Sequence, residues 1–213
     1  MSFHKKSFSN KIQPLFINHR INTLKELNKI PLNMGIEVDI RDYKDKLILS
    51  HDPFKSGEKF SNFLKKVNKR VTFLNIKSFG IIDEILKKIK NHNNFYFLDL
   101  CFSEIHYLIK KGYSKKIILR FSKYEEFDLK SKSLKNIEWI WFDYFDKKLL
   151  TKSIYNHVRK NKKKICIVSP DLLGGDKKEI LKFIKYLKKN KFKIDAICTK
   201  KKFINLWKKN YQL

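Results

Sequence analysis

The sequence is poor in the residues that interrupt or cross-link a chain. Its 213 residues include only six Gly, four Pro and three Cys, and no stretch is rich in Gly, Pro or Ser. Linkers between domains usually have such a composition, so we expect one domain over residues 1–213. Cys101, Cys166 and Cys198 are odd in number and lie in or beside apolar segments. We expect buried free thiols rather than disulfides or a zinc site.

Acidic residues and long apolar runs are also scarce. Lys and Arg number 49 against 21 Asp and Glu, which gives a formal net charge of +28. This charge favours phosphate-bearing ligands, an anionic membrane surface or nucleic acid as partners. The excess is mostly Lys spread along the chain, whereas nucleic-acid surfaces more often cluster Arg, so nucleic acid is disfavoured. No run reaches 18 apolar residues, and residues 1–13 lack an apolar signal segment, so we expect a cytoplasmic protein.

Short apolar segments alternate with Lys-rich amphipathic segments along the chain. We predict strands at residues 15–19, 35–41, 72–77, 95–100, 116–121, 139–143, 164–169 and 195–199. We predict helices at residues 24–33, 59–69, 82–91, 103–111, 152–162 and 177–189. This repeat predicts an α/β fold with a parallel sheet closed into a compact (β/α)₈ TIM barrel. Residues 46–50 should form a small hairpin arm after the second strand, and residues 122–137 show too weak a pattern for a full helix.

Polar residues cluster where the predicted strands end. In a TIM barrel the carboxyl ends of all strands meet at one mouth, where the catalytic residues of such enzymes lie. The expected mouth residues are His19, Glu37, Asp39, Asn75, Lys77, Asp99, Arg120, Asp143, Ser169, Thr199 and Lys200. We therefore expect a functional site at this face.

The segment from residue 17 to residue 54 contains the densest set of reactive side chains. Glu37 and Asp39 point to one face of a strand, roughly 6 to 7 Å apart, because side chains alternate with period two. At that separation the two carboxylates can converge on Mg²⁺ or Ca²⁺. His19, Arg20 and His51 add a proton donor, a proton acceptor and a phosphate clamp. This set suits phosphodiester cleavage.

These motifs also resemble a known family. The elements HR, NTL, EVDIR and LILSHDP resemble the first part of glycerophosphodiester phosphodiesterases, within the superfamily of phosphatidylinositol-specific phospholipase C. The resemblance implies metal-dependent hydrolysis of a glycerophosphodiester, or of a related phospholipid-headgroup or sugar phosphodiester. In this family a hydroxyl next to the phosphoester attacks phosphorus and gives a cyclic phosphate. The roles implied are cation binding by Glu37 and Asp39, acid–base catalysis by His19 and His51 in either order, and phosphate binding by Arg20 and Lys77.

Three positions depart from the family pattern. Asn75 stands where the family usually has a third carboxylate ligand, Ile21 replaces a Gly, and Lys200 replaces the last Asp of a closing motif. An amide oxygen still coordinates Mg²⁺ or Ca²⁺, but more weakly than a carboxylate. A noncatalytic barrel that binds a phosphorylated ligand is therefore an alternative, and the net charge keeps a nucleic-acid-binding protein as a third. The sequence predicts neither the exact substrate nor the oligomeric state.

Overall fold

The structure is a computed structural model that describes residues 13–122, 124–125, 131–145 and 150–212. One sheet of ten strands runs through these residues. The strands are β1 (Leu15–Asn18), β2 (Gly35–Tyr43), β3 (Lys46–Leu49), β4 (Glu58–Lys59), β5 (Thr72–Ile76), β6 (Phe95–Leu98), β7 (Ile118–Phe121), β8 (Trp139–Phe142), β9 (Lys164–Val168) and β10 (Ala196–Thr199). The helices are α1 (Leu24–Leu27), α2 (Phe60–Val67), α3 (Ile82–Ile89), α4 (Phe102–Lys110), α5 (Lys152–Lys160), α6 (Lys177–Lys189) and α7 (Ile204–Asn210).

Eight of the strands pair in parallel and form a ring. From β1, the parallel pairs run through β2, β5 and β6 on one side and through β10, β9, β8 and β7 on the other. A parallel bridge between Phe97 of β6 and Ile117, the residue before β7, joins the two ends. The predicted (β/α)₈ barrel is confirmed.

The hairpin arm predicted after the second strand is also confirmed. Strand β2 continues beyond the barrel and turns back at residues 44–45, so that β3 runs antiparallel to it, from Lys46 opposite Tyr43 to Leu49 opposite Ile40. The Ser50 N–H then donates to the Asp39 carbonyl at 3.0 Å. The arm thereby returns the chain to the carboxyl end of β2, immediately before His51.

Side chains along the strands alternate between the inside and the outside of the barrel, so the hydrophobic core has two parts. Ile17, Phe73 and Trp141 belong to the cluster inside the barrel, whereas Ile36 and Val38 pack between the barrel and its helices. The inward residues of β2 are then Gly35, Glu37 and Asp39, because inward and outward positions alternate. A Cβ atom at Gly35 would collide with the Ile17 side chain. The barrel interior is therefore apolar at its base and carboxylate-bearing toward its mouth.

Some predicted elements differ from the structure. Helix α1 ends at Leu27 instead of continuing to residue 33, because Pro31 disfavours helical backbone in the residue before it and the segment holds only one capped turn. Helix α7 was not predicted; its Trp207 is fully buried and donates to Ser169 Oγ at 2.9 Å. The weak segment 122–137 contains a 3-10 turn at Lys132–Leu134, and its residues 123 and 126–130 lie outside the described residues.

The expectation of three buried thiols was wrong for one of them. Cys166 and Cys198 are buried inside the barrel, but Cys101 is exposed. Cys101 lies at the N-cap of α4, after β6 has ended, where the chain leaves the core. Among the described residues, no helix has the length and apolar character needed to cross a bilayer.

Candidate active site

Two carboxylates of β2 form the base of the site. Glu37 and Asp39 are fully buried. Glu37 Oε2 accepts a hydrogen bond from the backbone N–H of Arg20 at 2.7 Å, and Glu37 Oε1 accepts one from Nδ2 of Asn75 at 2.9 Å. Burial and the neighbouring Asp39 charge raise the pKa of Glu37 above its usual range, and these hydrogen bonds oppose the shift. Burial therefore makes a second negative charge unfavourable here unless a cation compensates it.

Asn22 holds the second carboxylate in place. Its Nδ2 donates to Asp39 Oδ2 at 2.8 Å, and its Oδ1 accepts the Asp39 N–H at 2.8 Å. The other oxygen, Asp39 Oδ1, has no hydrogen-bond partner within the described part of the chain. Lys77 Nζ lies 3.5 Å from it. The prediction from the sequence gave Asn22 no role, although it belongs to the NTL motif that carried the family resemblance.

His19 lies above Glu37 at the end of β1. Its Nε2 is 3.9 Å from Glu37 Oε2, and 16% of its side chain is exposed. Burial, followed by the positive charges of Arg20, Lys200 and Lys77, lowers the pKa of His19 to about 3. The imidazole is therefore neutral near pH 7.

Arg20 joins the two histidine segments. Its φ of 53° lies in the left-handed region, which residues other than Gly seldom adopt, and this conformation directs its N–H toward Glu37. Its Nη2 lies 2.6 Å from His51 Nε2, and its Nε lies 4.0 Å from Asp39 Oδ2. The guanidinium thus spans the opening between His51 and the buried carboxylates.

Two further contacts hold His51 directly, and two more hold its neighbours Ser50 and Asp52. Its Nδ1 lies 2.9 Å from Asp52 Oδ1, and Lys55 Nζ lies 2.8 Å from the other oxygen of Asp52. Arg41 donates to the His51 carbonyl at 3.0 Å and to the Ser50 carbonyl at 3.2 Å. These contacts fix the loop that follows β3, so that the imidazole faces Arg20. The sequence offered no signal for the Arg41 contact, because the contact depends on how the hairpin arm folds back.

A row of alternating charges crosses the rest of the mouth. Lys77 Nζ lies 3.5 Å from Asp39 and 3.4 Å from Asp99. Arg120 in turn contacts Asp99 through Nε at 2.9 Å and Asp143 through Nη1 at 2.8 Å. The predicted mouth residues of β2, β5, β6, β7 and β8 therefore share one continuous set of ion pairs.

The buried oxygens of this site suit a hard divalent cation. Asp39 Oδ1 and Asn75 Oδ1 are both buried without a hydrogen-bond partner among the described residues, and Glu37 contacts the same Asn75 side chain. Carboxylate and amide oxygens are donors that Mg²⁺ and Ca²⁺ accept. No group of three His, Cys, Asp or Glu side chains in the described ranges is arranged to hold a metal ion. A cation between these residues would therefore take the Asn75 amide as a donor beside two carboxylates.

Comparisons with known proteins bear on the fold. No protein-family model matches the chain, and no curated protein matches its sequence. Among solved structures, a glycerophosphoryl diester phosphodiesterase from Parabacteroides distasonis is similar with a TM-score of 0.64 and 10% identity, over 89% of this chain and 84% of that one. A candidate glycerophosphodiester phosphodiesterase from Galdieria sulphuraria is similar with a TM-score of 0.63 and 13% identity, over 90% of this chain and 95% of that one. At these identities the likeness establishes the barrel fold alone.

Proposed function

We propose that the protein is a metal-dependent phosphodiester hydrolase that acts on a glycerophosphodiester or a related small phosphodiester. The observation that carries this proposal is the convergence at one mouth of two histidines, two buried carboxylates and two positively charged side chains. His19 lies 3.9 Å from Glu37, and Arg20 links Glu37 to His51 through its N–H and its guanidinium. The names of the two structural neighbours support the same chemistry.

In this proposal the β2 carboxylates and Asn75 bind the divalent cation. Glu37, Asp39 and the Asn75 amide oxygen would hold Mg²⁺ or Ca²⁺, and the ion would supply Lewis acidity toward a phosphoryl oxygen. Its positive charge would also relieve the burial of two negative charges side by side, which is unfavourable without compensation.

Substrate phosphate is bound by Arg20 and Lys77 in this proposal. Both cations border the carboxylates, and 47% of the Arg20 side chain and 20% of the Lys77 side chain are exposed. An anionic diester entering the mouth would therefore meet two charged donors. Donors aimed at the phosphoryl oxygens stabilise the charge that develops on them in the transition state.

The two histidines divide the proton transfers. His19 is neutral near pH 7 and takes the proton of the substrate hydroxyl that attacks phosphorus. Glu37 Oε2, 3.9 Å from His19 Nε2, stabilises the positive charge that the ring then acquires. His51 gives a proton from Nε2 to the leaving oxygen, and the contact of its Nδ1 with Asp52 at 2.9 Å orients the ring. Arg20 lies against that same Nε2, so this role requires the guanidinium to turn toward the bound phosphate.

A panel of diesters assayed with and without EDTA tests the proposal. We expect turnover of at least one glycerophosphodiester, loss of turnover in chelator, and recovery on addition of Mg²⁺, Mn²⁺ or Ca²⁺. Full activity in excess chelator would exclude the role of the metal. Binding of phosphorylated ligands without turnover of any diester would favour the second candidate, a noncatalytic phosphate-binding barrel. The observation in favour of that candidate is Asn75, which leaves the cluster one negative charge short of the family pattern.

A further inference from the structure

Large apolar side chains are exposed on the face of the barrel that carries the candidate active site. Within the described ranges seven large hydrophobic residues are exposed, and five of them follow the carboxyl end of a strand at the mouth. These five are Phe54, Phe79, Phe102, Tyr124 and Leu173. The other two, Leu32 and Tyr113, precede β2 and β7 and so lie at the opposite end of the barrel.

Three phenylalanines dominate this set. Their exposed fractions are 94% for Phe54, 75% for Phe79 and 81% for Phe102, and we call these three residues the aromatic rim. Each follows a polar mouth residue by two or three positions in the sequence. Those residues are His51, Lys77 and Asp99. The rim therefore borders the candidate active site from three successive loops.

Two of the rim loops are joined to each other. The Gly80 N–H, next to Phe79, donates to Glu104 Oε1 at 3.2 Å, in the first turn of the helix that Phe102 begins. A shallow cavity lies between the two loops and is lined by Phe79, Ile82 and Tyr107 among other residues. Phe79 and Phe102 are thus held by the fold while their rings remain in water. Rings in this position add little to the stability of the fold, because most of their apolar surface stays in water.

Lysines accompany the rim on the same face. Lys55 follows Phe54 directly, with 69% of its side chain exposed, and Lys200, Lys201 and Lys202 are exposed where β10 ends. The formal net charge of the chain is +28. Aromatic rings beside ammonium groups match the boundary of an anionic bilayer, since the rings enter the headgroup region and the lysines attract anionic lipids.

We propose that the aromatic rim docks the mouth of the barrel onto an anionic lipid surface. Docking would place His51, Lys77 and Arg20 toward the lipid headgroups. A phosphodiester in a headgroup would then reach the site from the bilayer, a consequence that rests on the proposed function, whereas docking itself does not.

Vesicle sedimentation tests the docking surface without any assay of activity. The vesicles are phosphatidylcholine alone or phosphatidylcholine with roughly one-third phosphatidylglycerol, a content that gives a strongly negative surface. We expect the intact protein to bind the anionic vesicles and to be released by salt, because screening weakens the lysine contribution. A variant with Phe54→Ala, Phe79→Ala and Phe102→Ala should bind at least about tenfold more weakly, since each inserted ring contributes on the order of one factor of ten.

The opposite end of the barrel provides a matched control. A variant with Leu32→Ala and Tyr113→Ala removes exposed apolar side chains far from the mouth and should bind anionic vesicles like the intact protein. Circular dichroism should show both variants folded, because all five positions are exposed. The proposal is overturned if the intact protein does not bind anionic vesicles, if the rim variant binds as tightly as the intact protein, or if the control variant loses as much affinity as the rim variant. If the intact protein binds anionic vesicles but hydrolyses no diester, the proposed function is contradicted and the docking surface is not.

Discussion

Asn22 clamps Asp39 from both sides, donating to its carboxylate and accepting from its backbone N–H, each at 2.8 Å. The clamp leaves Asp39 Oδ1 facing Lys77. Asn22→Ala should therefore lower hydrolysis roughly ten- to a hundredfold and weaken cation binding, because it removes support from a ligand while keeping the ligand itself. Activity and calorimetric cation titration together measure this effect.

Thr23→Ala is the matched control for the clamp. Thr23 caps α1 through Oγ1, which accepts the Glu26 N–H at 3.2 Å. Its loss should lower the free energy of unfolding by about 1 kcal/mol and leave cation affinity unchanged. If Asn22→Ala changes stability alone, as Thr23→Ala does, the positioning role is wrong.

The buried carboxylates give the second prediction. Glu37→Gln and Asp39→Asn should each reduce hydrolysis by at least about a hundredfold while the protein stays folded, since metal ligands or their support are typically worth that much. Glu84→Gln provides the control, because Glu84 is an exposed residue of α3 paired with Lys87. Activity at saturating Mg²⁺ is the measurement, and full activity in either β2 variant would contradict the cation site.

The histidines give the third prediction. His19→Ala and His51→Ala should lower kcat by roughly 10² to 10⁴ with little change in substrate affinity, as expected when a general acid or base is removed. Arg20→Ala should instead weaken affinity and rate together, because the guanidinium is proposed to contact the phosphate. His106→Ala, at an exposed position of α4, should behave like the intact protein. A histidine variant that raises KM and leaves kcat unchanged would assign that residue to binding.

The barrel was predictable because its signals are local. Period-two alternation in EVDIR predicts that Glu37 and Asp39 share a face, and strand ends predict a polar mouth; the structure has both carboxylates in one buried cluster. The contact between Arg20 and His51 was not predictable, because it depends on the left-handed φ of Arg20 and on the return of the hairpin arm. Neither feature has a periodic signature. The exposure of Phe54 was not predictable either, because the sequence of a loop does not show whether an apolar residue packs inward or faces water.

Asp143 gives a prediction about stability against pH. Burial raises the pKa of this carboxyl from 3.8 to about 6, outweighing the attraction of Arg120. A raised pKa means that the folded state holds the proton more tightly, so this contribution to stability is complete below pH 3.8 and is lost as the pH rises through about 6. Relative to Asp143→Asn, the intact protein should lose about 2 to 3 kcal/mol of unfolding free energy between those pH values. Urea unfolding measures the difference, and a difference that stays constant with pH would contradict the shifted pKa.

Asn75 gives the last prediction, because it decides how many negative charges the cluster holds. Its Nδ2 donates to Glu37 Oε1 at 2.9 Å, so Asn75→Asp replaces a donor by a third buried carboxylate. Without a cation this variant should be less stable than the intact protein by about 3 kcal/mol, because it buries an uncompensated charge. With Mg²⁺ or Ca²⁺ it should regain that stability and bind the ion more tightly, since a bound ion stabilises only the folded state.

The control for Asn75→Asp is another buried asparagine. Asn18 is fully buried and pairs with Ile36, which packs against the helices, so Asn18 lies on the outer side of the barrel wall. Asn18→Asp should lose stability for the same reason as Asn75→Asp, but no divalent cation should restore it, because the new carboxylate is separated from Glu37 by the strand itself. Thermal unfolding with and without Mg²⁺ compares the two variants. Equal rescue of both, or of neither, would show that Asn75 does not lie at a cation site; rescue of Asn75→Asp alone would identify its position as the one where a carboxylate completes that site.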